Sequence, residues 1–303
     1  MIRLTLGSGY ATLNMRWRLP LPGSERMLAK LKYDPFEFYA QSPSIYGPML
    51  KKRARRTLND REKQIVTKFV KRMRDTQRED GSWHGATTDT VRTLDILRSL
   101  QVPRSEKWVS RAIAWLLEQH NGPAAYRQGF FALPEDPSKL DPGVLPTGEP
   151  ISSLTSTRHV YAELALAVLL RYGERNKSAV QTALAAMRAL MLGRYAVKGF
   201  YCCGSCTAAI WQVLGAIPQA VSPPIINDGM ETLKKNRQED GSWRRFPFYF
   251  TLLSLSRLPY PFARREIRFA AERLRRSQRA DGGFGQSDRE AKTYAAVSAL
   301  TVL

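Results

Sequence analysis

The sequence predicts an all-α protein in which tandem helix pairs close into a ring, an inner barrel of helices surrounded by an outer one. Three observations predict it. A corner motif recurs, as Gln77-Arg-Glu-Asp-Gly-Ser-Trp83, Gln238-Glu-Asp-Gly-Ser-Trp243 and Gln278-Arg-Ala-Asp-Gly-Gly-Phe284. Its spacing is regular: Gly81 and Gly122 stand 41 residues apart, as do Gly241 and Gly282, and a weaker copy at Gly199-Phe200 precedes Gly241 by 42. Each copy also separates a charged amphipathic run from a shorter, less charged one.

The charged runs cover residues 61–77, 106–119, 179–192, 228–238 and 263–278, and the pattern makes them outer helices with one solvated face. The less charged runs, 90–100, 156–170, 207–217, 248–258 and 292–303, are inner helices. The corner between them has a local cause. Glycine accepts the positive φ that ends a helix, aspartate holds the turn with its side chain, and the Trp or Phe that follows packs beneath it. A helix pair of this kind cannot bury its apolar face alone, so neighbours must stack. With one row solvated and one buried, ring closure is the economical arrangement.

Two stretches fall outside the repeat. Residues 121–153 replace a tight corner with a Pro/Gly-rich loop, long enough to be expected to serve as a lid or mobile segment. Residues 1–60 are basic and aromatic, with Trp17, Phe36, Phe38, Tyr39, Tyr46 and the run Lys51-Lys-Arg-Ala-Arg-Arg56. They are expected to form an arm or cap on the 61–303 ring domain, and are also available to supply a further pair.

At 303 residues and 43% hydrophobic, the chain can bury about 75% of its unfolded surface without a disulfide framework. No apolar run approaches the roughly 20 residues of a membrane-spanning helix; the longest, 161–170, contains Glu163. Arg3, Asn14, Arg16 and Arg18 interrupt any apolar leader core, so a cytoplasmic protein is expected. Lys plus Arg number 47 against 27 Asp plus Glu, a net +20 with pI near 10.2, which calls for anionic partners. No specific nucleic acid is expected, because the basic residues spread along outer helices, as at Arg264, Arg265, Arg268, Arg273, Arg275 and Arg276, and no nucleic-acid module is present. Peripheral contact with an anionic membrane fits diffuse charge around an apolar barrel better.

Gln-x-x-Asp-Gly-Ser-Trp leading into a Thr-containing inner helix resembles the repeat of squalene-hopene cyclases and related terpene cyclases, and of protein prenyltransferase β subunits, over residues 60–303. The resemblance implies an α/α toroid with an isoprenoid in its centre. Class II terpene cyclases protonate an alkene with the middle Asp of an Asp-x-Asp-Asp motif before an inner helix. The matching stretch here is Ala86-Thr87-Thr88-Asp89, with Thr88 at the proton donor's position and only the last carboxylate kept. Asp89 is therefore the candidate acid, if desolvated and held neutral, and a helix N-cap otherwise.

The segment Gly204-Ser205-Cys206 running to Trp211-Gln212 is similar to the Asp-x-Cys zinc segment of the prenyltransferase β subunits. Cys206 matches, but Gly204 stands at the Asp position and Thr293 and Tyr294 where a His is required, so that zinc site is not expected. Cys202, Cys203 and Cys206 also contain a Cys-x-x-Cys spacing, with His84 and His159 on the same side of the toroid. The expectation is no resident cofactor and three small fillers of a buried corner, with zinc as the alternative.

The N-terminal ends of inner helices face one mouth of the barrel. Arg158, His159, Tyr161, Arg244, Arg245, Phe246, Phe248, Tyr249, Phe250, Lys292 and Tyr294 fall there, with Trp211 on its inner helix. Aromatic faces stabilise a carbocation by about 2 kcal/mol or more when dry, and cations beside helix N-termini suit a diphosphate. Core packing and solvated arginines are the alternative use of the same residues. The expected function is a terpene-cyclase-like protein acting on a polyprenyl substrate in an aromatic-lined cavity. A non-catalytic lipid- or protein-binding toroid and a prenyltransferase β-like subunit needing a partner chain are the alternatives.

Overall fold

The computed structural model describes residues 28, 30–122, 130–133, 143–192, 199–217 and 223–303. Trp17, the rest of the far N-terminus and much of the 121–153 loop lie outside them. Among the described residues there are twelve α-helices and only isolated β-bridges. After α1 (Glu37–Ala40), six inner helices alternate with five outer ones. The inner set is α2 (Tyr46–Arg53), α4 (Thr87–Ser99), α6 (Leu154–Arg171), α8 (Gly204–Ala216), α10 (Phe248–Leu255) and α12 (Arg289–Leu300). The outer set is α3 (Asp60–Asp75), α5 (Lys107–Glu118), α7 (Ser178–Leu192), α9 (Pro223–Lys235) and α11 (Pro261–Ser277).

Each inner helix packs on the next, and α12 returns to α2, so the ring closes. The inner helices run parallel. Their C-terminal ends meet at one end of the barrel, where Arg53 donates to the Ser256 carbonyl at 2.8 Å and Arg98 to the Arg171 carbonyl at 3.0 Å. The outer helices begin where they do for reasons visible locally. Asn59 and Glu62 cap α3 reciprocally, and Pro261 occupies the first turn of α11.

The corners repeat in atomic detail. Asp80, Asp240 and Asp281 each accept the backbone N–H two residues on, at 2.9, 2.8 and 3.1 Å. Gly81, Gly241 and Gly282 take the positive φ between 86° and 98° that the turn requires. Trp83, Trp243 and Phe284 are buried beneath. The first inner-helix turn supplies a threonine hydroxyl that accepts the corner aromatic's N–H: Thr90 from Trp83 at 3.1 Å, Thr207 from Tyr201 at 2.8 Å and Thr293 from Phe284 at 2.9 Å. Thr293 thus serves a corner where a prenyltransferase-like zinc site would need a ligand.

The recurring glutamine of the motif is a joint between neighbouring units. Gln77 donates to Gly81 of its own corner and to the Trp108 carbonyl of the next outer helix, both at 2.8 Å. Gln278 repeats this toward the N-terminal segment, donating to Gly282 at 3.0 Å and to the Tyr33 carbonyl at 2.8 Å. Residues 33–36 therefore stand where an outer helix would, and Tyr46–Arg53 completes the barrel as a sixth inner helix.

Candidate functional site

A cavity of about 470 Å³ occupies the barrel, lined by side chains from all six inner helices. That is within the range of roughly 300–1,000 Å³ typical of small-molecule sites. Met49, Val91, Ile96, Leu164, Val168 and Leu253 give it an apolar wall, and Asp288, Arg289 and Glu290 at the start of α12 line it as well. On α6 the lining positions Leu164, Val168 and Arg171 follow the i, i+4, i+7 stripe of one helix face.

Residues 144–148 roof the cavity. Three contacts hold the roof. The Val144 carbonyl accepts from Arg92 and from the Tyr161 hydroxyl, both at 2.9 Å, and Arg92 Nε donates to that hydroxyl at 2.7 Å. The Glu149 carboxylate accepts the N–H groups of Tyr249 and Phe250 at 3.0 and 2.7 Å, capping the start of α10. Burial nonetheless raises the Glu149 carboxyl above its ordinary range. Gly148 is required here, because a Cβ would meet the Asp288 side chain at 2.1 Å.

The opposite end is a charged floor. Asp95 of α4 pairs with Arg171 of α6 and with Arg257 just after α10, the latter at 2.9 Å. Arg257 also donates to the Gln212 side-chain oxygen, and both Arg257 and Arg53 hydrogen-bond the Tyr294 hydroxyl. Tyr46 and Tyr294 have ring centroids 5.6 Å apart. Burial alone would raise the Asp95 carboxyl, but the Arg171 and Arg257 charges outweigh it and hold Asp95 at about 2. Burial pushes the Arg53 and Arg171 guanidinium groups down, while Asp95 and Tyr294 overcome burial and push Arg257 up. Among the described residues Arg171 and Arg257 share one carboxylate, Asp95, and Arg53 adds a third positive charge beside them. Buried charge in excess of its counter-charge is costly, so the floor favours an incoming anion.

The sequence-derived candidates scatter around this centre. Tyr294 lines the cavity and Tyr161 braces its roof. The expected aromatic lining is instead core packing. Phe200, Phe246 and Trp211 stack with centroids 5.1 and 5.8 Å apart, and a side chain added at Gly229 of α9 would meet the Trp211 indole nitrogen at 3.3 Å. On α8 it is Gln212 that faces inward while Trp211 faces the outer row. Arg244 and Arg245 are exposed, Arg245 lying 4.9 Å over the Phe200 ring. Arg158 is half-buried, His159 meets the Tyr201 hydroxyl at 2.9 Å, and Tyr249 packs edge-on to Phe248. None of these five lines the cavity.

Asp89 is the third residue of α4, with Ala86 as its N-cap, so capping is not its role. Its carboxylate faces His84 Nδ1 at 2.8 Å, its side chain is 36% exposed, and it stands outside the cavity lining. Cys206 is buried as a filler should be, whereas Cys203 is half-buried and Cys202 exposed. His84 and His159 are engaged elsewhere and do not join them.

Arg53, Asp95, Arg171 and Arg257 of the floor and Arg92 of the roof were not among the sequence candidates. Arg53 lies in the basic run of residues 51–56 and carried no signal. For Arg92, Asp95, Arg171 and Arg257 a signal was available, since they are charges inside or at the ends of the less charged inner runs, where each requires a partner. Glu163 carries the same signal. It is fully buried on α6, neither carboxylate oxygen is hydrogen-bonded among the described residues, and burial pushes it up to about 8.

No protein-family model matches this sequence, and no curated protein is significantly similar to it. Solved structures resemble it in fold. A variant of the type II terpene cyclase MstE from Scytonema, in complex with the substrate geranylgeranyl dihydroxybenzoate, superposes with a TM-score of 0.58 at 12% identity, covering 89% of this chain and 87% of that one. Another MstE variant, bound to the product merosterolic acid A, gives 0.57 at 13% identity over 93% and 95%. A protein from Actinoplanes gives 0.54 at 13% identity over 86% and 89%. At these identities the likeness establishes the toroidal helical fold.

Proposed function

We propose that this chain is a terpene-cyclase-like protein that takes an isoprenoid with an anionic head into its central cavity. The observation that carries the reading is the cavity's polarity: an apolar wall for a branched chain, and at one end Arg171 and Arg257, which among the described residues share only Asp95. A diphosphate or carboxylate would supply the missing negative charge through paired guanidinium hydrogen bonds. The MstE substrate joins a geranylgeranyl chain to a dihydroxybenzoate, which has this combination of tail and head. Gly204 and Thr293 stand where two of the prenyltransferase zinc ligands would be, which favours this reading over a prenyltransferase β-like subunit. The net charge of +20 suits a protein that collects such a lipid from an anionic membrane surface.

Cyclisation by protonation needs a carboxylic acid held neutral near the tail. The family motif's donor position is Thr88, so Asp89, the one carboxylate of the motif that is kept, is the candidate acid; Asp95 does not qualify, because its two arginines keep it ionised. The pairing of Asp89 with His84, at a partly exposed position, favours a second reading in which the toroid binds its lipid without turnover. Incubation with squalene, farnesyl diphosphate and geranylgeranyl diphosphate, with product analysis by mass spectrometry and calorimetry run in parallel, tests both. Cyclised product supports the enzyme, saturable binding without product supports the carrier, and the absence of both sinks the isoprenoid reading.

A further inference from the structure

Away from the cavity, the corner that opens α8 brings three thiols to one point. The Sγ atoms of Cys202, Cys203 and Cys206 all lie within 4.8 Å of one another, and those of Cys203 and Cys206 are 3.5 Å apart. Thiolates sharing a tetrahedral ion at about 2.3 Å have sulfurs about 3.8 Å from each other, so the triangle needs little adjustment to close on a metal.

The backbone explains how two adjacent cysteines reach the same point. Cys202 holds φ at 55°, in the left-handed region a non-glycine residue seldom adopts. The turn it makes brings its side chain back beside that of Cys203, the N-cap of α8, and Cys206 follows on the first turn of the helix. The positive end of α8 favours the negative charge that three thiolates would carry. Ser156 completes the surround, its hydroxyl 3.6 Å from Cys203 Sγ and 3.9 Å from Cys202 Sγ, and its carbonyl 3.8 Å from Cys206 Sγ.

Burial grades from Cys206, which is buried, through Cys203 to exposed Cys202. The site thus has a closed base and one side open to solvent. Three sulfurs converge where a disulfide would use two, and no carboxylate or imidazole of the described residues joins them. That all-sulfur donor set selects a soft, thiophilic cation over a hard one.

We propose that Cys202, Cys203 and Cys206 form a tris-thiolate site for zinc(II), with a solvent molecule as the fourth ligand on the Cys202 side. Binding replaces three S–H bonds with three S–Zn bonds and releases three protons to buffer. The site is separate from the cavity and stands whether or not an isoprenoid binds.

The test uses the untagged full chain, reduced and stripped with chelator under nitrogen. Titration with zinc(II) alone should saturate at one ion per chain and protect three thiols from a colorimetric thiol reagent. Cadmium(II) should give the ultraviolet sulfur-to-metal charge-transfer band with the same stoichiometry. Cys202→Ser, at an exposed position that leaves the fold intact by circular dichroism, should weaken zinc binding at least tenfold, and Cys203→Ser should do the same. Equal thiol reactivity with and without zinc, no cadmium band, or a Cys202→Ser titration matching the unaltered chain would overturn the proposal.

Discussion

Arg257 donates to Asp95 at 2.9 Å across the floor of the barrel, joining residues 162 positions apart in the chain. Asp95 also pairs with Arg171, so one carboxylate from α4 ties together α6 and the end of α10. Replacing it strands two buried guanidinium groups. Asp95→Asn is expected to cost about 3–5 kcal/mol, as breaking a buried ion pair does, read as a shift in the urea unfolding midpoint. Millimolar pyrophosphate should recover part of that loss if the floor accepts anions; no recovery would count against the head-group assignment.

The pH dependence of stability carries two opposed contributions. Asp95 is held at about 2, below its ordinary 3.8, so what it contributes is present above about pH 4 and is lost as pH falls toward 2. Glu163 is raised from 4.5 to about 8, so what it contributes is complete below about pH 4.5 and is lost as pH rises toward 8. Glu163→Gln removes the second effect. The variant should gain on the unaltered chain by a few kcal/mol between pH 4.5 and 8. The difference between the two curves is the readout, because burial also pushes His120 and His159 down and tilts the total curve the other way. Parallel curves would mean that Glu163 is ionised in the folded chain.

The ring was legible in the sequence because its parts are local. Asp80, Gly81, Ser82 and Trp83 make their turn among themselves, and the same turn recurs at Asp240 and Asp281. The sixth inner helix was harder to see, since Tyr46–Arg53 has no such corner before it; only Gln278 reaching Tyr33 reveals the joint. The floor was not assigned because its members come from α2, α4, α6 and the end of α10, and no spacing links Arg53 to Asp95, Arg171 and Arg257. Trp211 and Gln212 show the finer limit. Both lie on an apolar helix of nearly uniform burial, and only the ring geometry decides which of the two faces the cavity.

The closing joint gives a paired glycine prediction. At Gly282, φ is 86° and a Cβ would meet the Asp34 carbonyl at 2.4 Å, so alanine strains the turn and also pushes residues 33–36 off the ring. Gly122 has a φ of 81° with nothing within 4 Å of an added Cβ. Gly122→Ala should cost about 1 kcal/mol from backbone conformation alone, and Gly282→Ala clearly more, roughly 2–4 kcal/mol. Equal melting temperatures for the two variants would show that the N-terminal segment adds nothing to ring closure.

Tail and head of the proposed ligand can be separated by substitutions two helical turns apart on α6. Leu164 lines the apolar wall on the same α6 stripe as Arg171, about 10 Å before it, and tryptophan there would fill space the chain of the ligand requires. Leu164→Trp should weaken geranylgeranyl diphosphate at least tenfold in calorimetry while leaving the thermal shift produced by pyrophosphate alone nearly unchanged. Arg171→Gln should instead lower the response to both ligands, because it removes a guanidinium that the head group needs. It also frees Asp95 from one of its two partners, so the unliganded variant has to be checked for its own loss of stability first. If Leu164→Trp abolishes the pyrophosphate response as well, head and tail do not occupy opposite ends of one cavity, and the orientation argued from Asp95, Arg171 and Arg257 is wrong.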